Sequence, residues 1–231
     1  PGATAISSGL DYGVFNIALM NGRVVGERDL DRRLDECFRY FRPRTQRWSF
    51  WVCEDLLDYS AKRRARQAFP AAGFRVISRA PGMFAEKFLA PKFKLPEIEC
   101  HHVATSGLRD CFGEVTSTCF DIPLTISRAV YSPERGWRGA YQGYVGYSNG
   151  RPVGVVALVR DAGAVGIYSL GVLPEFRGQG YAEAIMRAAL NLHQDVYGSE
   201  PMVLQSTEAG HPLYLRLGFR DTASFTVYLT K

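Results

Sequence analysis

The sequence predicts an α/β protein with a mixed, mostly antiparallel sheet, preceded by a smaller α/β half. Three observations carry this reading. Two strand-like runs, 141–147 and 153–159, flank Asn149-Gly150, a pair suited to a hairpin turn that needs positive φ. From 165 onward strand and helix patterns alternate, as in a layered α/β domain. Before them, helical spacing over 28–41 and 56–69 encloses an aromatic strand-like run, Arg47-Trp48-Ser49-Phe50-Trp51-Val52. With 231 residues, 46% of them hydrophobic, the chain can build one large domain or two small ones. The division is expected between 1–96 and 97–231.

The elements follow in order. In the helix over 28–41, Leu30, Leu34, Cys37, Phe38 and Phe41 share one face, with Arg32, Arg33, Glu36 and Arg39 on the other. The weaker helix over 56–69 is stopped by Pro70 and the Ala72-Gly73-Phe74 turn. Short strands at 75–78 and 83–88 close the first half, and Pro91, Pro96 and the lysines between them form a connector. The second half opens with a strand at 98–103, a helix at 106–116 and a short helix at 123–130. After the hairpin, the Asp161-Ala162-Gly163 turn leads into a strand at 165–172. A helix from near Gly178 aligns Ala182, Ile185, Met186 and Ala189 and ends before Gly198. A strand at 202–205, a helix at 210–217 and a strand at 224–229 complete the pattern.

Composition narrows the function classes. No apolar run approaches the roughly 18 residues that cross a bilayer, so no membrane association is expected. The opening residues show no basic region followed by an apolar stretch, so no secretory leader is read in them. Cys37, Cys53, Cys100, Cys111 and Cys119 are scattered and odd in number, which predicts free thiols in a reducing compartment, the cytoplasm. No metal site is expected: the cysteines form no C-x-x-C pair, and the neighbours His101 and His102 would point to opposite faces of a strand. The net charge of +5 suits an anionic ligand as well as nucleic acid. The densest basic run, Lys62-Arg63-Arg64-Ala65-Arg66, lies on a helix without interleaved aromatics, so a solvated face is expected and no nucleic-acid partner.

The chemistry concentrates between Ser169 and Ala182. A strand carrying Leu170, Gly171 and Val172 ends at Pro174, which cannot extend a sheet ladder. The chain then turns through Arg177-Gly178-Gln179-Gly180 into an amphipathic helix. Such a turn leaves backbone amides unpaired at the positive end of a helix dipole, a setting that favours a phosphate or diphosphate. Gly178 and Gly180 allow close approach, and Arg177 adds a fixed charge. The G-x-x-x-x-G-K-[ST] pattern of a Walker loop is missing. A dinucleotide fingerprint would need a third glycine at Glu183 and a parallel sheet.

Arg177-Gly178-Gln179-Gly180-Tyr181-Ala182 resembles the R/Q-x-x-G-x-G/A signature of the GNAT superfamily of N-acetyltransferases, which cradles the diphosphate of coenzyme A. Six residues alone also fit a structural loop before a surface helix. A second motif follows in the family's order, Leu213-Tyr214-Leu215-Arg216-Leu217-Gly218-Phe219 resembling its Y-x-x-x-G-F-like end. The resemblance covers about 97–231. It implies the GNAT fold and acetyl-CoA as cosubstrate, without a metal. It further implies a strand at Leu170, Gly171 and Val172 that splays to bind pantetheine, and direct attack of an amine on the thioester. Tyr214 matches the family tyrosine that acts as general acid; packing as a core tyrosine beside Phe219 is the alternative. Many members carry asparagine where this chain has Thr207, so the cofactor contact there falls to Ser206 and Thr207.

No general base is assigned among Glu99, His101, Glu114 and Glu208. The first half echoes the same family's pattern without the glycine loop; Phe15-Asn16 and Pro81-Gly82-Met83 are placed as in two-part relatives. It is expected to be a degenerate GNAT-like half that shapes the acceptor pocket. The expected function is N-acetyl transfer to a primary amine of a small molecule. A non-catalytic acyl-CoA-binding regulatory module is the alternative, and homodimerisation stays open.

Overall fold

The computed structural model describes residues 2–231. In chain order these form β1 (Ala3–Ser7), β2 (Asn16–Met20), α1 (Glu27–Phe41), β3 (Ser49–Cys53), α2 (Tyr59–Ala71) and β4 (Phe74–Ala85). There follow β5 (Glu99–His102), α3 (Ser106–Phe120), α4 (Leu124–Tyr131), β6 (Tyr141–Ser148), β7 (Arg151–Asp161) and β8 (Ala164–Val172). The last elements are α5 (Tyr181–Tyr197), β9 (Met202–Gln205), α6 (His211–Leu217) and β10 (Arg220–Thr230). Two compact units emerge: Pro1–Gly82 with Gln205–Ala209 and Asp221–Lys231, and Met83–Leu204 with Gly210–Arg220. Packing thus departs from the linear division at 96/97, because the closing strand and residues 205–209 pack with the opening residues.

The second unit orders its strands β9-β8-β7-β6-β5. β5 through β8 pair antiparallel in succession, and β9 joins β8 in parallel. Both expected turns close with paired positive φ, at Asn149 and Gly150 and at Ala162 and Gly163, the geometry a two-residue hairpin requires. Asp161 Oδ1 accepts from the Ala162 N–H at 2.9 Å and steadies the second turn. The core gathers Ile185, Met186, Ala189 and Leu190 of α5 with Val153, Val156, Leu158, Val165 and Ile167 of the sheet. α6 adds Tyr214 and Leu217 to the same core. α5 begins at Tyr181 rather than near Gly178, because Gly178 and Gly180 both hold left-handed φ that a helix cannot include.

The first unit orders its strands β1-β2-β3-β10-β4. β2 and β3 run parallel, and β10 inserts antiparallel beside β3, Phe225 to Leu229 opposite Cys53 to Ser49. Its core joins Leu30, Leu34 and Phe41 of α1 to Ala61, Ala65 and Phe69 of α2 over Phe50, Val52 and Phe74. Phe41 stacks on Trp48 at 4.3 Å and Phe69 on Tyr228 at 3.9 Å. The basic run on α2 is partly spent on α1, through Arg63–Glu27 at 2.8 Å and Arg64–Asp31 at 2.9 Å. Three expectations change here. β1 and β2 were not anticipated, the strands at 75–78 and 83–88 are replaced by a single β4 running through Pro81-Gly82, and Arg33 is buried.

Arg33 reverses the polarity of the turn between β2 and α1. Its guanidinium donates to the carbonyls of Gly2 (2.7 Å), Gly22 (2.9 Å) and Arg23 (2.5 Å), and to Asp29 (2.8 Å). Two amides just ahead of α1 are taken by carboxylates of the chain itself: Val25 N–H by Asp29 at 3.2 Å, Gly26 N–H by Asp58 at 2.8 Å. Asp58 also caps α2 at the Ala61 N–H, 2.8 Å away.

Candidate active site

The site is built where β8 leaves β9. Their parallel pairing covers only Val165–Met202 and Gly166–Val203, although β8 continues to Val172. The edge of β8 over 167–172 is therefore released from β9. A bulge adds to the divergence: Tyr168 faces Ala157 and Gly171 faces Val155, so two residues of β8 oppose one of β7. Ser169 takes the strained part with φ 51°. The sequence named Leu170, Gly171 and Val172 but not this bulge, which has no glycine to mark it.

Gly171 also permits close packing on the other face. A methyl group there would lie 2.8 Å from Cys119 Cβ and 3.1 Å from the Phe120 ring. Behind the bulge, burial raises the pKa of the Tyr131 and Tyr141 hydroxyls, and the Ser169 hydroxyl beside them draws it back.

After β8, the chain makes a single turn at Pro174–Phe176, then passes through Gly178 (φ 75°) and Gly180 (φ 88°) into α5. No side chain caps α5. Its first amide with a backbone partner is that of Ala184, bonded to the Gly180 carbonyl at 3.1 Å. The amides ahead of it keep the unspent donors of a helix start. Arg177 Nε donates to the Val172 carbonyl at 3.0 Å, which ties the guanidinium to the end of β8. Gln179 Nε2 closes the loop on the Glu175 carbonyl at 2.9 Å.

A hollow of about 240 Å³ opens here. Val172, Arg177, Gly178, Gly180, Tyr181 and Ala182 line it, all but one of them loop or helix-start residues expected from the sequence. Phe176, Glu183, Leu213 and Arg216 complete the wall and were not anticipated. Leu213 and Arg216 flank Tyr214 in the second motif at a three-residue spacing, which was the available signal. Glu183 brings no free charge, because Arg187 holds its Oε1 at 2.8 Å.

Tyr214 itself is buried on α6, edge-on to Phe219 at 5.8 Å, and burial pushes its hydroxyl up to about 12. It does not line the hollow, although its neighbours do. Ser206 is buried in the first unit, where its N–H bonds the Pro81 carbonyl at 2.9 Å and its hydroxyl the Thr207 carbonyl at 2.7 Å. Thr207 and Glu208 are exposed in that unit. Of the base candidates, Glu99 sits 3.4 Å from His101 and Glu114 pairs with Arg128 at 2.7 Å, both on the surface.

All five cysteines are free, and burial pushes Cys37 up to about 11 and Cys100 up to about 12. Among the described residues no acidic, histidine and cysteine cluster could hold a metal ion, and no helix is long and apolar enough to cross a membrane.

A mixed sheet that opens beside an uncapped helix start offers free backbone amides to an anionic ligand. Residues 139–221 match the family model described as an acetyltransferase (GNAT) domain. Acyl transfer is the general function of such a domain. Solved structures share the fold over nearly the whole chain. A GCN5-related N-acetyltransferase from Kribbella flavida superposes with a TM-score of 0.73 at 16% identity, over 99% of this chain and 86% of that one. A functionally unknown conserved protein from Staphylococcus epidermidis gives 0.66 at 16% identity, over 94% and 84%. A GCN5-related N-acetyltransferase from Sphaerobacter thermophilus gives 0.63 at 18% identity, over 99% and 75%. No match was found among curated proteins.

Proposed function

We propose that this chain is an N-acetyltransferase that passes the acetyl group of acetyl-CoA directly to a primary amine of a small molecule. The observation that carries the reading is the release of β8 from β9 beside a loop of unspent amides. In this reading the amides of 178–182 and Arg177 hold the diphosphate. The released backbone of Leu170, Gly171 and Val172 takes the pantetheine amides in place of a neighbouring strand. Gln179 shapes the loop through its bond to the Glu175 carbonyl.

The amine nitrogen attacks the thioester carbonyl, the carbon–sulfur bond breaks, Tyr214 gives its proton to the departing sulfur, and the proton shed by the nitrogen returns through solvent to restore the phenol. Binding both reactants in one geometry supplies much of the acceleration. Tyr214 suits the donor role because burial keeps its proton in place across the working range, with a hydroxyl pushed up to about 12. Five free thiols suit a reducing compartment such as the cytoplasm.

Calorimetric titration with acetyl-CoA tests the reading first: one equivalent should bind per chain, and a flat titration refutes it. Incubation with acetyl-CoA and a panel of small amines should then release free thiol. Binding without release on any amine would indicate a non-catalytic acyl-CoA module instead. Tyr214→Phe should lower kcat at least tenfold with acetyl-CoA affinity nearly unchanged. An unaltered kcat would remove Tyr214 from the chemistry. In the wild type no alkaline loss of rate through Tyr214 is expected below about pH 11, because its proton is held up to about 12.

A further inference from the structure

The hollow at the start of α5 carries more positive charge than a diphosphate requires. The helix start, worth about half a charge, and Arg177 already offset most of a diphosphate, and Arg177 is fixed to the end of β8 by its bond to the Val172 carbonyl. Arg216 supplies a second guanidinium from a different element, the exposed side of α6. Its polar contact is Nη1 to the carbonyl of Pro212, one turn back at 3.2 Å, and it pairs with no carboxylate among the described residues. Glu183, the acid on the same wall, is neutralised by Arg187, whose Nε and Nη2 lie 2.9 and 2.8 Å from Oε1.

Two arginines and a helix start, with the one carboxylate spent, match a ligand with more than two negative charges. Coenzyme A has such a charge: beyond the diphosphate it carries a ribose 3′-phosphate monoester, close to doubly ionised at neutral pH. We propose that Arg216 holds this 3′-phosphate and makes the site selective for coenzyme A over 3′-dephospho-coenzyme A. Arg177 is tethered where the loop amides converge, so the diphosphate is its partner. Arg216 is held only to its own helix, and its fork reaches a phosphate at the rim, where a guanidinium binds bidentately. The inference rests on the coenzyme A reading and adds a residue-level selectivity to it.

Calorimetry with coenzyme A and with 3′-dephospho-coenzyme A, at low salt, tests it on wild type, Arg216→Ala and Arg216→Gln. The wild type should bind coenzyme A about tenfold tighter, the scale of a charge-assisted contact at a solvated rim. Both variants should lose that ratio while their affinity for the dephospho form stays unchanged. Equal wild-type affinity for the two ligands overturns the proposal without any variant. Equal weakening of both ligands in the variants also overturns it, since Arg216 would then serve the diphosphate. Binding of neither ligand by the wild type refutes the coenzyme A reading itself.

Discussion

Gly180→Glu is expected to weaken acetyl-CoA binding on the order of a thousandfold while leaving the fold intact. Two effects act at this position and their sizes differ. The left-handed φ of 88° costs a non-glycine residue about 1–2 kcal/mol, and a Cβ would meet Pro96 Cδ at 3.2 Å. A carboxylate facing a diphosphate a few ångströms away costs about 4 kcal/mol per charge pair at an effective dielectric near 20. Charge dominates, so affinity should fall on the order of a thousandfold. Gly180→Ala separates the terms: it carries the strain without the charge and should bind within about tenfold of wild type. Calorimetry supplies the affinities and circular dichroism confirms folding. Retained affinity in the glutamate variant would remove the loop from the binding site.

Arg33→Ala is expected to cost about 2–3 kcal/mol of stability, the range for hydrogen bonds to a charged group, because Arg33 is buried while Asp29 keeps partial contact with solvent. The substitution leaves the carbonyls of Gly2, Gly22 and Arg23 without their donor and Asp29 without its main partner. Urea unfolding should show the loss. Arg63→Ala, which breaks a solvated pair with Glu27, should leave the midpoint nearly in place. Acid adds a second check. Hydrogen bonding from Arg33 holds Asp29 down to about 2 from an ordinary 3.8. A depressed carboxylate stabilises the fold above its unfolded value, and that share is lost as pH falls from about 3.8 towards 2. In Arg33→Ala that part of the acid transition should shrink. An unchanged urea midpoint would mean that the turn is held by something other than the guanidinium.

What the sequence revealed divides along a physical line. The two glycines, the helix they precede and the Leu213–Phe219 motif are local patterns, and they led to the loop, α5 and α6 within three residues. The Asn149-Gly150 turn was legible for the same reason, because a two-residue chemistry dictates it. Non-local features were not. The release of β8 from β9 is a matter of which residues pair, and no residue type announces it. β1 and β2 escaped notice because small residues and one buried asparagine blur their alternation; Asn16 earns its burial through bonds to Leu10, Tyr12 and Arg47. Arg33 looked like a surface charge because periodicity registers its type, whereas the carbonyls it satisfies come from two separate places in the chain, Gly2 and the neighbours Gly22 and Arg23. Arg216 was legible only as part of the second motif, because its place on the wall of the hollow depends on how α6 packs beside the loop.

The position of β10 bears on how this molecule is made. Residues 221–231 lie between β3 and β4, strands that leave the ribosome well over a hundred residues earlier. Until that late segment arrives, the nascent first unit holds two open strand edges on either side of a gap, the kind of surface that captures stray chains. Translation that stalls after residue 220 would release such a product, and a bulky fusion placed on Lys231 would hinder its insertion.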